Sequence, residues 1–276
     1  MIETVSPLLF AMLGPLRALV STFPSALVGY SGGVDSALLA VVLRQELGRD
    51  RVLAAVGRSP SYPEAQWAAA RSLAERFDLP LLELETHELD DPDYVANPTN
   101  RCFFCKTELW RRLVPAARAR GLAVVCDGTN ADDLREHRPG YAAGQAAGVR
   151  SPLAELGLTK GDVRTAAREL GLPVWDAPAA PCLSSRVAYG LAITPRRLEQ
   201  IERAEAYLRE LGVTGDLRVR HHGDRGGARI EVEPRWIAWV AERLPSLRAH
   251  LEGLGFAAVE VDPRGYRRGG LLPERP

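Results

Sequence analysis

Short apolar runs alternate with segments of helical period over most of the chain. SALVGY (25–30) is an apolar run ending in a glycine-rich turn, and SALLAVVLRQELG (36–48) follows with helical spacing and a terminal glycine suited to a C-cap. RVLAAVG (51–57) predicts a second strand, PEAQWAAARSLAERF (63–77) a helix with proline at its start, and LPLLELE (79–85) a third strand. CFFCKTELWRRLVPAARARG (102–121) reads as a helix that Pro115 kinks or breaks. LAVVCDG (122–128) gives a fourth strand, and TKGDVRTAARELGLP (159–173) a helix with Thr159 as N-cap. The apolar N-terminal stretch predicts a first helix rather than a signal peptide: Glu3 stands where a basic region would lie, and Pro7, Pro15 and Arg17 interrupt the run. Strands alternating with crossover helices predict an α/β fold with a doubly wound parallel sheet.

The pattern changes near residue 175. WDAPAAPCLSSR (175–186) reads as a linker or loop. A helix (194–212), two strands (216–222 and 228–234) joined by GDRGG as a hairpin, a helix near 235–252 and a strand (257–262) follow. The expected division is 1–176 for the parallel-sheet domain and 177–276 for a small α+β C-terminal domain. The tail RGYRRGGLLPERP carries no pattern that assigns it a structure, and the chain has no internal repeat.

Charge narrows the function classes. Across 276 residues the net charge is zero, so no global field draws nucleic acid or an anionic membrane. No apolar run approaches the ~20 residues of a membrane span, and a cytoplasmic protein is expected. Four cysteines make no disulfide framework, so the close pair in NRCFFCK (100–106) suits metal or redox work. Only Lys106 and Lys160 among the 35 basic residues are lysines. Lys106, beside the cysteine pair, is there for its compact charge or by chance.

The turn after the first strand is YSGGVDSALLA. Gly32 and Gly33 let the backbone approach an anion, the next helix directs its positive end there from about Ser36, and Ser31 and Ser36 add hydroxyls. Asp35 fits beside phosphate if it binds Mg²⁺ or caps the helix. Neither GxxxxGK[ST] nor GxGxxG is present. SGGVDS between strand and helix resembles the PP-loop of the ATP pyrophosphatase superfamily, whose members split ATP between the α and β phosphates and adenylate a substrate. At the end of the fourth strand, CDGTNADD (126–133) puts Gly128, Thr129, Asn130, Asp132 and Asp133 at the same carboxyl edge. Asp132 or Asp133 could hold Mg²⁺, or the stretch is a solvated acidic loop. The second strand ends in VGRSPSYP (56–63), where PP-loop relatives seat the adenine.

Cys126 lies in an apolar strand and reads as a buried small hydrophobe. Cys102 and Cys105 at CxxC spacing can share one metal or cluster with Cys182 from a distant loop, leaving one coordination position open; zinc and a redox disulfide are rivals. The set SGGVDS, NPTNRCFFCK, CDGTNADD, PCLSSRVAYG, RVRHH and ARIEV, over about residues 28–268, resembles the LarE family of ATP-dependent sacrificial sulfur transferases. The resemblance implies ATP-driven adenylation of a carboxylate of pyridinium-3,5-biscarboxylic acid mononucleotide, and sulfur insertion to give a thiocarboxylate in nickel-pincer nucleotide synthesis. It also implies a homo-oligomer and one of two sulfur sources. Either Cys182 gives up its own sulfur and becomes dehydroalanine, or Cys102, Cys105 and Cys182 hold a 4Fe-4S cluster with one iron free of protein ligands. Three cysteines resemble the second form, with Lys106 placed to touch a phosphate or sulfide and a sulfur-donor protein as partner.

A substrate bearing carboxylate and phosphate needs cations. Arg186 follows Cys182 closely, and Arg218 and Arg220 alternate along one strand, so they face one side as phosphate ligands or as a solvated strand face. His221 and His222 point to opposite faces and cannot serve one metal, and Glu231 can pair with an arginine. The rival enzyme readings are tRNA thiolation, against which zero net charge counts, and amidation by ammonia, which needs no cysteine. A nucleotide-binding sensor is the non-enzyme reading.

Overall fold

The computed structural model describes residues 7–135, 139–223, 225–267 and 270–271; the first six residues and the tail from 272 lie outside these. In chain order the elements are α1 (Pro7–Ser21), β1 (Ala26–Gly29), α2 (Val34–Leu47), β2 (Val52–Arg58), α3 (Glu64–Arg76), β3 (Leu81–Glu85), α4 (Pro92–Val95), α5 (Arg101–Ala119), β4 (Val124–Cys126), α6 (Pro139–Ala146), α7 (Pro152–Glu155) and α8 (Lys160–Glu169). There follow α9 (Pro195–Glu210), β5 (Leu217–His222), β6 (Gly227–Val232), α10 (Pro234–Glu242), α11 (Leu244–Gly253) and β7 (Ala258–Val261).

These elements divide into two units. The first runs to Ser59 and adds Glu64–His87 and Cys102–Ala180; the second takes Pro60–Pro63, Glu88–Arg101 and the chain from Pro181. A single cut near 176 cannot describe this, because the second unit borrows two short segments from inside the first half.

In the first unit the strands are parallel in the order β3-β2-β1-β4. Side chains alternate across each strand. Ala26 and Val28 of β1 join Leu16 of α1, Leu38 and Val42 of α2 and Ala167 of α8 in one core; Leu27 joins Trp110 and Leu113 of α5 on the other face. The sheet is covered on both sides, as its apolar strands predict. Because β2 and β4 flank β1 on opposite sides, the order reverses there, and the carboxyl ends of β1 and β4 flank the place where doubly wound sheets bind ligands.

In the second unit β5 and β6 form the expected antiparallel hairpin, and β7 joins β6 in parallel. Leu198, Ile201, Ala204 and Leu208 give α9 one buried stripe. The helix expected near 235–252 is two helices, because Pro245 in the first turn of α11 cannot donate back to α10. Pro115 does not break α5. It lies on the exposed face, where water can take the carbonyl its missing N–H leaves without a partner.

Candidate functional site

The segment 31–36 folds as an anion-binding loop. Gly32 has φ +69°, and a Cβ there would stand 2.6 Å from the Cβ of Ala70, so both its backbone and its space require glycine. The helix starts at Val34, two residues before the expected Ser36, because Gly33 is its N-cap and makes no side-chain capping bond. The first-turn amides of α2 are therefore not covered by a cap and face an anion's position. Ser36 Oγ donates to the Gly33 carbonyl at 3.1 Å and accepts from the Ser31 amide at 3.2 Å, which closes the loop. Gly128 after β4 stands so close that a Cβ would sit 2.6 Å from the Ser36 nitrogen.

Asp35 does not cap the helix, contrary to one sequence expectation; it sits in the first turn and reaches outward. Asn130 Nδ2 donates to Asp35 Oδ1 at 3.0 Å, and the Lys160 ammonium pairs with Asp35 Oδ2. Asn130 is buried, and its Oδ1 accepts from the amides of Asp132 and Asp133 at 3.0 and 3.2 Å. Asp132 Oδ2 accepts from the Lys160 amide at 2.9 Å. Thr129 donates its amide to Asp127 Oδ1 at 3.1 Å. The loop after β4, the loop after β1 and the start of α8 thus meet at one polar cluster. The sequence reading missed Lys160. The signal was its rarity, one of two lysines, but nothing local tied it to Asp35. Its placement rests on a capping box, in which Thr159 and Asp162 bond each other reciprocally.

On α5, Cys102 is exposed and Cys105 half-exposed, three positions apart and so on neighbouring turns of one side. Lys106 extends its ammonium to 5.7 Å from the Trp110 ring centroid. A Cβ on Gly140 would lie 2.8 Å from Lys106 Cγ, and one on Gly29 would lie 2.7 Å from the Trp110 ring. Trp110 therefore seats α5 against the strand that leads into the anion-binding loop. Cys126 is buried in β4, donates to the Leu27 carbonyl, and burial raises its thiol pKa, so it is inert. Arg58 stacks on Trp67 at 3.9 Å at the end of β2.

In the second unit Cys182 is half-exposed and opens a short 3₁₀ turn, Leu183–Arg186. Its carbonyl accepts from Ser185 Oγ at 2.7 Å and Arg186 Nη1 at 3.0 Å. Arg186 is buried and also pairs with Glu205 at 3.0 Å. Arg220, buried, pairs with Glu231 at 3.0 Å and donates to the Ser185 carbonyl at 2.7 Å. Arg218 lies 5.0 Å from the Tyr266 ring centroid, and burial, then the neighbouring Arg186, lower its pKa. Three buried guanidiniums thus stand in this unit, two of them paired with Glu205 and Glu231. His221 and His222 do face opposite ways. His221 is buried, and burial, then Arg197 and His222, bring its pKa down to about 4. His222 lies 3.3 Å from Glu260.

Among the described residues no three His, Cys, Asp or Glu side chains gather into a metal-holding group, and no helix is long and apolar enough to cross a membrane.

Residues 16–109 match the NAD synthase family. A protein of Synechocystis sp. described as uncharacterized is 42% identical over 96% of this chain and 98% of its own. The pyridinium-3,5-bisthiocarboxylic acid mononucleotide synthase of Lactiplantibacillus plantarum is 36% identical over 88% of this chain and 87% of its own. Cytoplasmic tRNA 2-thiolation protein 1 of Mus musculus is 37% identical over 40% of this chain and 29% of its own.

Proposed function

Because the chain belongs to the LarE family, we propose that it adenylates a carboxylate of pyridinium-3,5-biscarboxylic acid mononucleotide with ATP and replaces the activated oxygen with sulfur. It is an enzyme with an ATP-using PP-loop domain. The observation that carries the reading is the meeting of Asp35, Asn130 and Lys160 at the open end of α2. The backbone amides of the loop and the helix end receive the phosphates of ATP. The substrate carboxylate attacks the α-phosphorus, the bond to the bridging oxygen breaks, and pyrophosphate leaves with the electron pair. Lys160 exchanges Asp35 for the departing phosphates. Asp35 and Asp132 would hold Mg²⁺, which supplies neutralising charge there when bound.

Sulfur then attacks the acyl carbon, and AMP leaves with the electrons of the broken C–O bond. Where Cys182 is the donor, its Cα loses a proton and its Cβ–S bond breaks, leaving dehydroalanine and the thiocarboxylate. Three accessible thiols also suit iron in donor type. Cys102, Cys105 and Cys182 would hold a 4Fe-4S cluster, which supplies transferable sulfide when bound and lets the enzyme turn over. A sulfur-donor protein would be the partner of that form. Lys106, beside Cys105, would meet the phosphate or sulfide. Arg218 and Arg220 receive the substrate phosphate, and Arg186 steadies the Cys182 backbone. The protein works as a cytoplasmic homo-oligomer.

The test is pyrophosphate release that depends on the mononucleotide, together with a sulfur-bearing product seen by mass spectrometry. Release that ignores the mononucleotide, or a product without sulfur, overturns the reading. Iron and acid-labile sulfide on protein purified without oxygen separate the sulfur sources: about four irons per chain mark the cluster, and none, with Cys182 converted to dehydroalanine, marks the sacrificial route. The partial match to a tRNA 2-thiolation protein favours a nucleobase acceptor instead. Tight tRNA binding at physiological salt would select that reading.

A further inference from the structure

The chain around Cys182 lies outside the regular helices and strands, yet it is pinned from one side. Tyr94 and Ser184, both buried, share a hydroxyl hydrogen bond of 2.6 Å. Asn97, wholly buried, donates from its amide to the carbonyls of Val187 (3.3 Å), Ala188 (2.8 Å) and Leu191 (3.0 Å). Two N–H groups serve three acceptors, so one bond is shared. Asn97 Oδ1 accepts from buried Arg101 at 2.8 Å, and the Arg101 guanidinium lies 4.7 Å from the Tyr189 ring centroid. The main chain adds bonds from Gly190 to the Asn97 carbonyl at 3.1 Å and from Ile193 to the Val95 carbonyl at 2.9 Å. Asn97 takes φ +55°, a left-handed conformation that asparagine tolerates better than most residues. All of these residues belong to the second unit.

We propose that Asn97 is a positioning residue for Cys182. It touches no reacting atom. It fixes the backbone of 187–191, and with it the short turn that Cys182 opens, so that the sulfur side of the reaction meets the activated carboxyl in one geometry. This rests on Cys182 being the sulfur-bearing residue. Arg101 sets which way the amide points: its donation to Oδ1 leaves Nδ2 directed at the three carbonyls.

Two variants separate side chain from backbone. Asn97→Asp keeps the shape and turns a donor into an acceptor facing three carbonyls. Asn97→Gly keeps the left-handed conformation and removes the bonds, and it carries the test if the aspartate variant does not fold. In the full chain with ATP, Mg²⁺ and the mononucleotide, pyrophosphate release stays at the wild-type level while thiocarboxylate formed per pyrophosphate falls by up to about 100-fold, the cost of a misplaced reacting group. The Cys182 peptide, followed by mass spectrometry, is alkylated several-fold faster by iodoacetamide. Equal losses of pyrophosphate and thiocarboxylate would mean general damage and overturn the proposal, as would wild-type coupling with unchanged alkylation. Wild-type protein that makes neither product refutes the reading of the reaction, and the alkylation rate still decides whether Asn97 holds the loop.

Discussion

Lys160 occupies two positions in the polar cluster at once: its amide holds Asp132 and its ammonium holds Asp35. Lys160→Gln keeps the amide and loses the charge. Mononucleotide-dependent pyrophosphate release is expected to fall about 100- to 1,000-fold, the scale for removing one preorganised group from developing charge, with the melting temperature held. A rate within a few-fold of wild type would remove Lys160 from the step. Gly32→Ala tests the loop differently. Strain at positive φ and a clash with Ala70 should cost about 1–3 kcal/mol, read as a lower denaturation midpoint. These residues differ in how far the sequence disclosed them. Ser31 to Ser36 were legible because the chemistry is contiguous. The partners of Asp35 are 95 and 125 residues away, and no local pattern encodes such a pairing. Arg186 shows the same limit: its charge was legible, but its engagement with Glu205 depends on a helix 19 residues on.

At the scale of elements, the alternation of strands and helices was legible because the central strands β1 and β2 are covered on both faces and read as apolar runs. The ends were less so. The fourth strand is three residues rather than seven, since Asp127 and Gly128 turn away to meet Arg150 and the start of α2. Pro115 in α5 costs the helix a hydrogen bond without kinking it out of register. Pro115→Ala should raise stability by about 1–3 kcal/mol, less than the full helix-interior penalty because the unfolded chain gains freedom, and denaturant titration checks it. In α8 the capping box holds Lys160 in place. Thr159→Ala should cost about 1 kcal/mol and also weaken ATP use, whereas a cap without that role would change only stability.

For the whole molecule, a buried histidine makes stability depend on acid. His221 has a folded pKa of about 4, below its usual value of 6.5. The unfolded chain therefore binds the proton first as pH falls. The contribution is complete above about 6.5 and is lost as pH drops toward 4, in total about 3 kcal/mol. His221→Gln should flatten the melting temperature between pH 6.5 and 4; an unchanged slope would assign the acid loss to other groups. Composition could not reveal this, since the burial of His221 depends on Phe256 and the hairpin around it. Nor could it reveal that the second unit reclaims Glu88–Arg101 from the first half of the chain, because contacts across 90 residues leave no local mark. That arrangement has a consequence for how the protein is made. Asn97 emerges from the ribosome 90 residues before its first acceptor, Val187, a delay of about 5–18 s at ordinary synthesis rates. Three strands of the first sheet precede Asn97 and the fourth, β4, is synthesised within that interval, so the sheet is complete while Tyr94 and Asn97 must stay hydrated until their partners arrive. A nascent chain stopped near residue 180 would carry a finished sheet and an orphaned segment, a natural point for a chaperone or a protease to act.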